Sequence, residues 1–273
     1  LPFGLGMEGS GIIEETGEEI TKFKANDEIT FGAIGQGAFS DYVVLDERAV
    51  QLKPSNLTFE QAAAFQTAYL TAYVSLVRRG ELTKGETLLV HGSTGGVGMA
   101  AVQLGKYLGA KVIATGTSEE KLKYTKSWGA DHTILTHKEG KVEFREEVKD
   151  LTDGKGADVI YDPVGGDVFD HSIRCINWGG RLLIVGFASG RIPTLPVNMA
   201  LIKGFSVIGV RAGEYGRKNP LAGKENNEAI REICESGHFD PYICKVFNLN
   251  EAKEAIHYLS ERKLIGKVVI SAD

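Results

Sequence analysis

The chain reads ETLLVHGSTGGVGMAAVQLGK over residues 86–106, and this stretch decides the fold. Its apolar run 87–90 is typical of a buried parallel strand. The glycine-rich segment 92–98 follows, and the residues after it recur at helical spacing on one apolar face, formed by Val97, Ala101, Leu104 and Leu108. Strand, glycine-rich turn and helix predict a dinucleotide site, because unpaired N–H groups at a helix start can bind a pyrophosphate and glycine lets it come close. A tight turn that binds nothing is the alternative for the same spacing.

Strands and helices alternate from residue 86 onward, which is typical of a parallel sheet with right-handed crossovers. The predicted strands are 87–91, 111–115, 132–135, 157–162, 181–187 and 205–210, and the predicted helices between them are 97–109, 119–129, 141–151 and 166–178. This order predicts an α/β fold with a doubly wound, six-stranded parallel sheet of the Rossmann type. The ligand of such a sheet lies beyond the carboxyl ends of its strands.

Two further regions flank the predicted sheet. Residues 1–53 read as all-β, with short strands predicted at 11–13, 28–31 and 40–45. Residues 58–61 have the form of a capping box and predict a helix start, and a second helix is predicted over 68–76. Beyond the sheet, the pattern predicts helices at 224–236 and 249–262 and a final strand at 267–270.

The composition narrows the class of protein. The chain has 273 residues with 31 basic and 36 acidic side chains, and its formal charge of −5 argues against a nucleic acid or an anionic membrane as partner. Its apolar runs are too short to span a bilayer. The three cysteines, Cys175, Cys234 and Cys244, lack a metal-type spacing and predict a reducing, cytoplasmic compartment.

Six segments carry a resemblance to a known family: PFGLGMEGSG (2–11), AFSDY (38–42), LTAY (70–73), GGVG with AVQ (95–98 and 101–103), DPVGG (162–166) and GKV (266–268). Through them the whole chain resembles the zinc-independent quinone oxidoreductase branch of the medium-chain dehydrogenase/reductase superfamily. The resemblance implies a chaperonin-10-like (GroES-like), mostly β catalytic domain from residues 1–68 and 213–273, and a dinucleotide-binding domain over residues 69–212. It also implies hydride transfer from NADPH to a quinone or an α,β-unsaturated carbonyl compound.

The sequence departs from that family in two places. Family members usually carry a further N-terminal stretch that forms part of the active-site wall, whereas this sequence begins at Leu1. A non-catalytic NADPH-binding protein therefore stays an alternative, as does an alkenal or enoyl-thioester double-bond reductase. The second departure is Ser93, which stands where a glycine often opens the dinucleotide turn.

The residues available for zinc argue against a metal site. Zinc-dependent relatives place a histidine ligand before the glutamate of a Gly-His-Glu segment, where this chain has Met7, and a thioether is a poor zinc ligand. The four-cysteine loop of those relatives is missing as well. The histidines have no paired spacing, and each is expected to be a strand-end or surface residue: His91, His132, His137, His171, His238 and His257. The sequence predicts no metal.

The cofactor preference depends on the end of the second predicted strand. NAD-selective sites usually present an acidic side chain there, which binds the ribose 2′-hydroxyl. The resemblance aligns this position with Gly116, which leaves room for a 2′-phosphate. Lys121 follows in the next helix, where it is either a solvated lysine or, as the resemblance implies, a partner of the 2′-phosphate. Ser118 is predicted to cap that helix.

The resemblance extends the set of cofactor-binding residues to positions at the other strand ends and on the flanking helix. The full predicted set is Thr71, Ser93, Thr94, Gly95, Gly96, Val97, Gly98, Gly116, Thr117, Ser118, Lys121, Val164, Phe187 and Lys267. For Thr71 the alternative is a helix hydroxyl bonded to its own backbone, and for Lys267 it is a plain edge-strand lysine. Arg211 and Tyr215 are weak candidates for lining the pocket, and no residue stands out as the proton donor.

The apolar strand predicted over 205–210 lies at the edge of the sheet. Exposed apolar edges favour pairing with another chain unless they are covered. In the family that this chain resembles, the strand pairs with its twin across a two-fold axis, which implies a homodimer. A loop that covers the edge is the alternative. The other expected partner is the small-molecule acceptor.

Overall fold

The computed structural model describes residues 4–33, 35–138 and 140–272, which form two compact units. One unit comprises residues 1–68 and 231–273, and the other comprises residues 69–230. The predicted domain boundary between 212 and 213 differs from this division. Residues 213–230 belong to the second unit, in which Arg78 Nε donates to the buried Asn226 Oδ1 at 2.7 Å. Which unit supplies the catalytic domain stays a prediction.

The first unit opens with a three-stranded antiparallel sheet. Its strands are β1 (Glu8–Ile12), β2 (Glu28–Gly32) and β3 (Val50–Leu52), in the order β1-β2-β3. A single turn of 3₁₀ helix, Glu47–Ala49, precedes β3. Helix α1 (Phe59–Ala63) begins with the predicted capping box, in which Thr58 and Gln61 bond each other's backbone N–H groups.

The prediction of a strand over 40–45 is wrong. The alternation that suggested it is real, because Val43 and Leu45 pack against the buried cluster of Ile29, Phe31 and Ala33, while Tyr42 and Val44 are exposed. No strand forms there, since nothing in the described parts of the chain pairs with this segment. Alternating burial is thus necessary for a strand on a half-buried sheet, but a ladder partner is needed as well.

The second unit is built on a six-stranded parallel sheet, which confirms the predicted fold class. Its strands are β4 (Thr87–Val90), β5 (Lys111–Gly116), β6 (His132–Leu135), β9 (Ala157–Asp162), β10 (Ile176–Ile184) and β11 (Ser206–Gly209). Their order in the sheet is β11-β10-β9-β4-β5-β6, and every neighbouring pair is parallel. A short antiparallel hairpin, β7 (His137–Lys138) and β8 (Lys141–Val142), lies between β6 and β9. Leu89, Ile113 and Ile160 are fully buried in the sheet, as expected for strands covered on both faces.

The helices of this unit connect the strands. Helix α2 (Gln66–Tyr73) continues into a π-helical segment, Val74–Arg79. The helices that follow are α3 (Gly96–Tyr107), α4 (Glu119–Ser127), α5 (Arg145–Asp150), α6 (Gly166–Ser172), α7 (Val197–Lys203), α8 (Ala212–Lys218) and α9 (Pro220–Glu235). Helices α7 and α8 were not predicted.

Two predicted helices are too long. The helix predicted over 141–151 begins only at Arg145, because Lys141–Val142 forms the second strand of the hairpin. The helix predicted over 166–178 ends at Ser172, since Ala157 N–H donates to Cys175 O at 2.9 Å and draws the chain into the sheet. The register of β10 against β9 then shifts between Ile176 and Arg181. In both places backbone pairing in the fold outweighs a helical apolar pattern.

The chain ends in a parallel pair of strands in the first unit. Strand β12 (Ile243–Asn248) was not predicted, and it pairs with β13 (Lys267–Ser271). Between them a 3₁₀ turn, Leu249–Glu251, leads into α10 (Ala252–Ser260). Across the described ranges, none of the helices combines the length and the apolar character needed to cross a membrane.

Candidate functional site

The turn after β4 leads directly into α3, and no side chain caps this helix start. Gly95 is extended, with φ −90° and ψ 169°, and its N–H turns back to Gly92 O at 3.1 Å. The first helical hydrogen bond runs from Met99 N–H to Gly95 O at 2.8 Å. The N–H groups of residues 96–98 therefore precede the helical ladder and point from the positive end of the helix dipole. Such a helix start can bind an anionic group such as a pyrophosphate.

Glycine is required at two positions of this turn, for different reasons. Gly92 has φ +56°, a conformation that few other residues adopt. A Cβ on Gly98 would overlap Gly92 O and lie 2.7 Å from Ser93 Cα, so the helix can start against the turn only with glycine there. A Cβ on Gly95 would meet nothing closer than Gly92 O at 3.6 Å, an ordinary contact.

The end of β5 lies beside the turn. A Cβ on Gly116 would be 3.5 Å from Thr94 Cγ2 and 3.1 Å from Leu122 Cδ2, which places Gly116 between the turn and helix α4. Thr117 is exposed, and Ser118 caps α4 as predicted, with its Oγ accepting from Lys121 N–H at 3.4 Å. Lys121 thus lies in the first turn of the helix that begins beyond Gly116.

The end of β9 carries a buried carboxylate that organises the next turn. Asp162 Oδ1 accepts hydrogen bonds from the N–H groups of Val164 and Gly165, both at 2.8 Å. Its Oδ2 is buried and has no hydrogen-bond partner among the described residues. Burial raises the pKa of Asp162, although the two backbone hydrogen bonds act in the opposite direction. A Cβ on Gly92 would be 3.3 Å from Val164 Cγ2, so the turns after β4 and β9 contact each other.

The segment after β10 closes against the turn after β9. Ala188 N–H donates to Pro163 O at 3.1 Å, and Ser189 N–H donates to Val164 O at 3.0 Å. Phe187, the residue before Ala188, is 42% exposed, and its Cδ1 lies 3.0 Å from the position of a Cβ on Gly165. The structure therefore gathers the predicted residues of four strand ends along the carboxyl edge of one sheet, where doubly wound folds bind their ligands.

A buried polar network lies directly beneath the glycine-rich turn. Ser93 donates to Thr115 O twice, from its N–H at 3.1 Å and from its Oγ at 2.8 Å. The Thr115 hydroxyl lies 2.8 Å from His91 Nδ1, and His91 Nε2 lies 2.8 Å from Ser172 Oγ. The His91 ring packs edge-on against Phe144 at a centroid distance of 4.9 Å. Complete burial lowers the pKa of His91 to about 3, so the ring is neutral in the folded chain.

Four predicted residues belong to elements other than these strand ends. Lys267 belongs to the other unit, where its Nζ is 2.8 Å from Glu8 Oε1 and the second Glu8 oxygen accepts from Thr67 N–H at 2.8 Å. Thr71 lies on α2, and its carbonyl accepts from Ser75 Oγ at 2.6 Å. Arg211 is exposed just before α8, and Tyr215 is half-buried within that helix.

Sequence reasoning missed the residues that support the site from below. His91 is a strand-end residue as expected, but its role in a buried network with Thr115 and Ser172 was not predicted. Asp162 belongs to the DPVGG segment, but its part in holding the turn was not predicted. A usable signal existed, since each of His91, Thr115 and Asp162 is a polar residue at the carboxyl end of an apolar strand. Within the described ranges, no group of three or more His, Cys, Asp or Glu side chains is arranged to hold a metal ion.

Comparison with known proteins gives one family and several relatives. The family described as "Zinc-binding dehydrogenase" matches residues 96–233. A quinone oxidoreductase-like protein 2 homolog of Nematostella vectensis is 39% identical over 274 residues, which cover 99% of this chain and 74% of that protein. A quinone oxidoreductase of Pseudomonas aeruginosa is 36% identical over 273 residues, covering 99% of this chain and 82% of that protein.

Solved structures agree with the fold and differ in their cofactors and reactions. An NAD-dependent alcohol dehydrogenase superposes with a TM-score of 0.87 at 31% identity, over 100% of this chain and 84% of that one. The mycobacterial protein Rv1454c complexed with NADPH gives a TM-score of 0.89 at 27% identity, over 99% and 83%. The CurK enoyl reductase gives 0.85 at 25% identity, over 98% and 79%.

Proposed function

The chain belongs to the quinone oxidoreductase branch of the medium-chain dehydrogenase/reductase superfamily, and we propose that it transfers hydride from NADPH to a quinone or an α,β-unsaturated carbonyl compound. Membership makes it an oxidoreductase. The single observation that carries the finer proposal is the uncapped start of α3 with Gly116 beside it. The first feature suits a pyrophosphate, and the second leaves the ribose 2′-position without an acidic neighbour.

The residues present fit a phosphorylated dinucleotide. The N–H groups of residues 96–98 would hold the pyrophosphate, and Lys121 would face the 2′-phosphate from the first turn of α4. Val164 and Phe187, on the two interlocked turns, would position the nicotinamide half. When bound, the reduced nicotinamide supplies the hydride.

The chain's own contribution to the reaction is mainly position and electrostatics. The turn held by Asp162 and the segment that bonds to it would form a wall beside the nicotinamide, which would keep the reacting carbon in one place and exclude water. Reduction of a quinone or enone builds negative charge on oxygen, which a donor or solvent must neutralise. Arg211 and Tyr215 stay the candidates for lining that part of the pocket.

Lys121→Ala tests the cofactor assignment. Loss of one charge-assisted contact to the 2′-phosphate should raise the dissociation constant for NADPH about tenfold, which corresponds to about 1.4 kcal/mol, and leave that for NADH nearly unchanged. Lys123→Ala is the matched control, because Lys123 is an exposed lysine on the same helix. Titration calorimetry of wild type and both variants with each cofactor gives the six dissociation constants. Equal losses for NADPH and NADH in Lys121→Ala would contradict the assignment.

The acceptor is the second point to test. A panel of quinones, alkenals and enoyl thioesters, followed by the loss of NADPH absorbance, separates the proposed activity from enoyl-thioester reduction. Enoyl thioesters are included because the CurK enoyl reductase shares the fold over 98% of this chain. Tight NADPH binding without turnover of any acceptor would favour a non-catalytic NADPH-binding protein.

We further propose that the reaction runs without zinc. Met7 occupies the place of a histidine ligand, and it is 65% exposed on the segment before β1. A thioether binds zinc poorly. Elemental analysis of active enzyme should find less than one zinc per chain, and activity should survive treatment with a chelator. Loss of activity on chelation, with recovery on adding zinc, would overturn this point.

A homodimer formed through β11 is the proposed assembly. The strand is at the sheet edge, and exposed apolar side chains lie on it, on the adjacent β10 and on α7, which precedes it: Val207, Trp178, Val197, Leu201 and Ile202. Val210 N–H donates to Ile184 O at 2.9 Å, so in a parallel ladder the N–H of Val207 points away from β10. Val207→Pro should therefore remove an outward donor and shift light scattering to the monomer mass, whereas Val207→Ala should stay dimeric. A Val207→Pro variant that remains a dimer would contradict pairing through this strand.

The cytoplasmic location stays a prediction. It is supported by the three free cysteines, of which Cys175 and Cys234 are buried, because such thiols persist in reducing compartments.

A further inference from the structure

The residue before Gly116 is held in place from two directions. Thr115 O accepts two hydrogen bonds from Ser93, and the Thr115 hydroxyl lies 2.8 Å from His91 Nδ1. His91 and Ser93 flank Gly92 in the sequence, and all three polar residues are 0% exposed. The last residues of β5 are thus tied to His91 and Ser93, on either side of Gly92, through fully buried groups.

The hydrogen positions in this network are determined by its outer end. Ser172 Oγ donates to Val168 O at 2.7 Å, so it must accept from His91 Nε2–H. Nδ1 of the neutral ring then carries no proton and accepts from the Thr115 hydroxyl. Each polar group in the chain Thr115–His91–Ser172–Val168 has a partner, and fully satisfied buried networks rigidify the elements that they join.

The elements joined here are the two that face the ribose end of a dinucleotide. The turn supplies the pyrophosphate donors, and Gly116 supplies the open space at the end of the second strand. Thr94 Cγ2, on the turn, lies 3.5 Å from the position of a Cβ on Gly116. The width of this opening therefore depends on how the turn is set against β5, and a shift of about 1 Å is enough to impair a positioned group.

We propose that Thr115, His91 and Ser93 act as positioning residues that set the distance between the pyrophosphate-binding turn and Gly116, and thereby determine the preference for a 2′-phosphorylated cofactor. This inference rests on the proposed NADPH-binding function. It assigns selectivity to buried side chains that do not touch the cofactor, in addition to Lys121, which would.

The pair Thr115→Val and Thr115→Ser tests the proposal. Valine has nearly the shape of threonine but cannot donate to His91, whereas serine keeps the hydroxyl. Dissociation constants for NADPH and NADH, measured by titration calorimetry, give the preference of each protein, and thermal unfolding reports folding separately. We expect Thr115→Val to lower the NADPH preference about fivefold, the worth of one ordinary hydrogen bond, and Thr115→Ser to restore it to within about twofold of wild type.

The outcomes are distinct. A wild-type chain that binds neither cofactor removes the proposed function itself. Wild-type binding with equal losses of NADPH and NADH affinity in Thr115→Val shows a structural role only and overturns the inference. Should Thr115→Val fail to fold, Ser93→Ala is the second variant, because it removes the hydroxyl bond to Thr115 O and keeps the bond from the Ser93 N–H. The NADPH preference of Ser93→Ala should also fall, and an unchanged preference overturns the inference.

Discussion

Lowering the pH from 7.5 to 5 should destabilise the unit of residues 69–230 through His91. Burial lowers the pKa of this histidine from 6.5 to about 3. Between those two values the unfolded chain binds a proton that the folded chain does not, so unfolding becomes more favourable as the pH falls. The contribution of His91 is complete above pH 6.5 and is lost progressively toward pH 3. At pH 5, about 1.5 pH units below the unfolded value, the loss amounts to about 2 kcal/mol.

Urea unfolding followed by tryptophan fluorescence measures this effect selectively. Both tryptophans of the chain, Trp128 and Trp178, lie in residues 69–230, and Trp128 is only 8% exposed, so its emission changes when this unit unfolds. His91→Gln does not titrate and keeps an amide donor near Ser172. The free energy of unfolding of wild type minus that of the variant should therefore fall by about 2 kcal/mol between pH 7.5 and pH 5.

The subtraction removes the other titrating groups, which both proteins share. Neither hydroxyl that faces His91 titrates in this range, and the ring packs against Phe144, which carries no titratable group. A difference that stays constant with pH would show that the folded chain protonates His91 as readily as the unfolded chain does. That result would refute the buried, neutral ring on which the network beneath the turn depends.

Three further substitutions probe the turns themselves. Gly98→Ala should destabilise the fold by about 1–3 kcal/mol, because its Cβ would overlap the backbone of Gly92. Gly95→Ala is the control and should change the free energy of unfolding by less than about 1 kcal/mol. Urea unfolding curves of both variants measure the difference, and equal values would contradict the clash at Gly98. Because burial raises the pKa of Asp162, the folded chain binds the extra proton in acid, and the stability of wild type relative to Asp162→Asn should rise as the pH falls from 7 toward 4. A relative stability that falls instead would mean that the buried carboxyl is already ionised at low pH.

The sheet and its glycine-rich turn were predictable because both follow from local rules. A run such as Leu88–Val90 must be buried on both faces, and Gly92 and Gly98 answer to steric limits that act within a few residues. The errors arose where distant backbone decides. The segment 40–45 has the alternation of a strand without a partner, and Ile176 joins β9 in spite of a helical pattern.

The buried polar network beneath the glycine-rich turn could not be predicted from the sequence, because its members are also far apart in the chain. Thr115 and Ser172 lie 24 and 81 residues from His91, and nothing in a single hydroxyl residue indicates which distant nitrogen it will meet. The pairing of Lys267 is of the same kind: the resemblance implies a contact with the cofactor, which stays a prediction, and the structure shows that its ammonium group bonds Glu8. Pairings of this kind are fixed by the tertiary fold, so they become visible only with the fold in hand.

The register shift in β10 has an optical consequence. It leaves Trp178 75% exposed, with its ring 3.1 Å from the position of a Cβ on Gly204, immediately before the edge strand β11. Trp128 is buried in the same unit, so the long-wavelength part of the native chain's tryptophan emission comes from the exposed Trp178. Association through β11 would remove this indole from solvent and shift its emission to shorter wavelength. Self-association could therefore be measured from the emission maximum of the unlabelled protein as it is diluted.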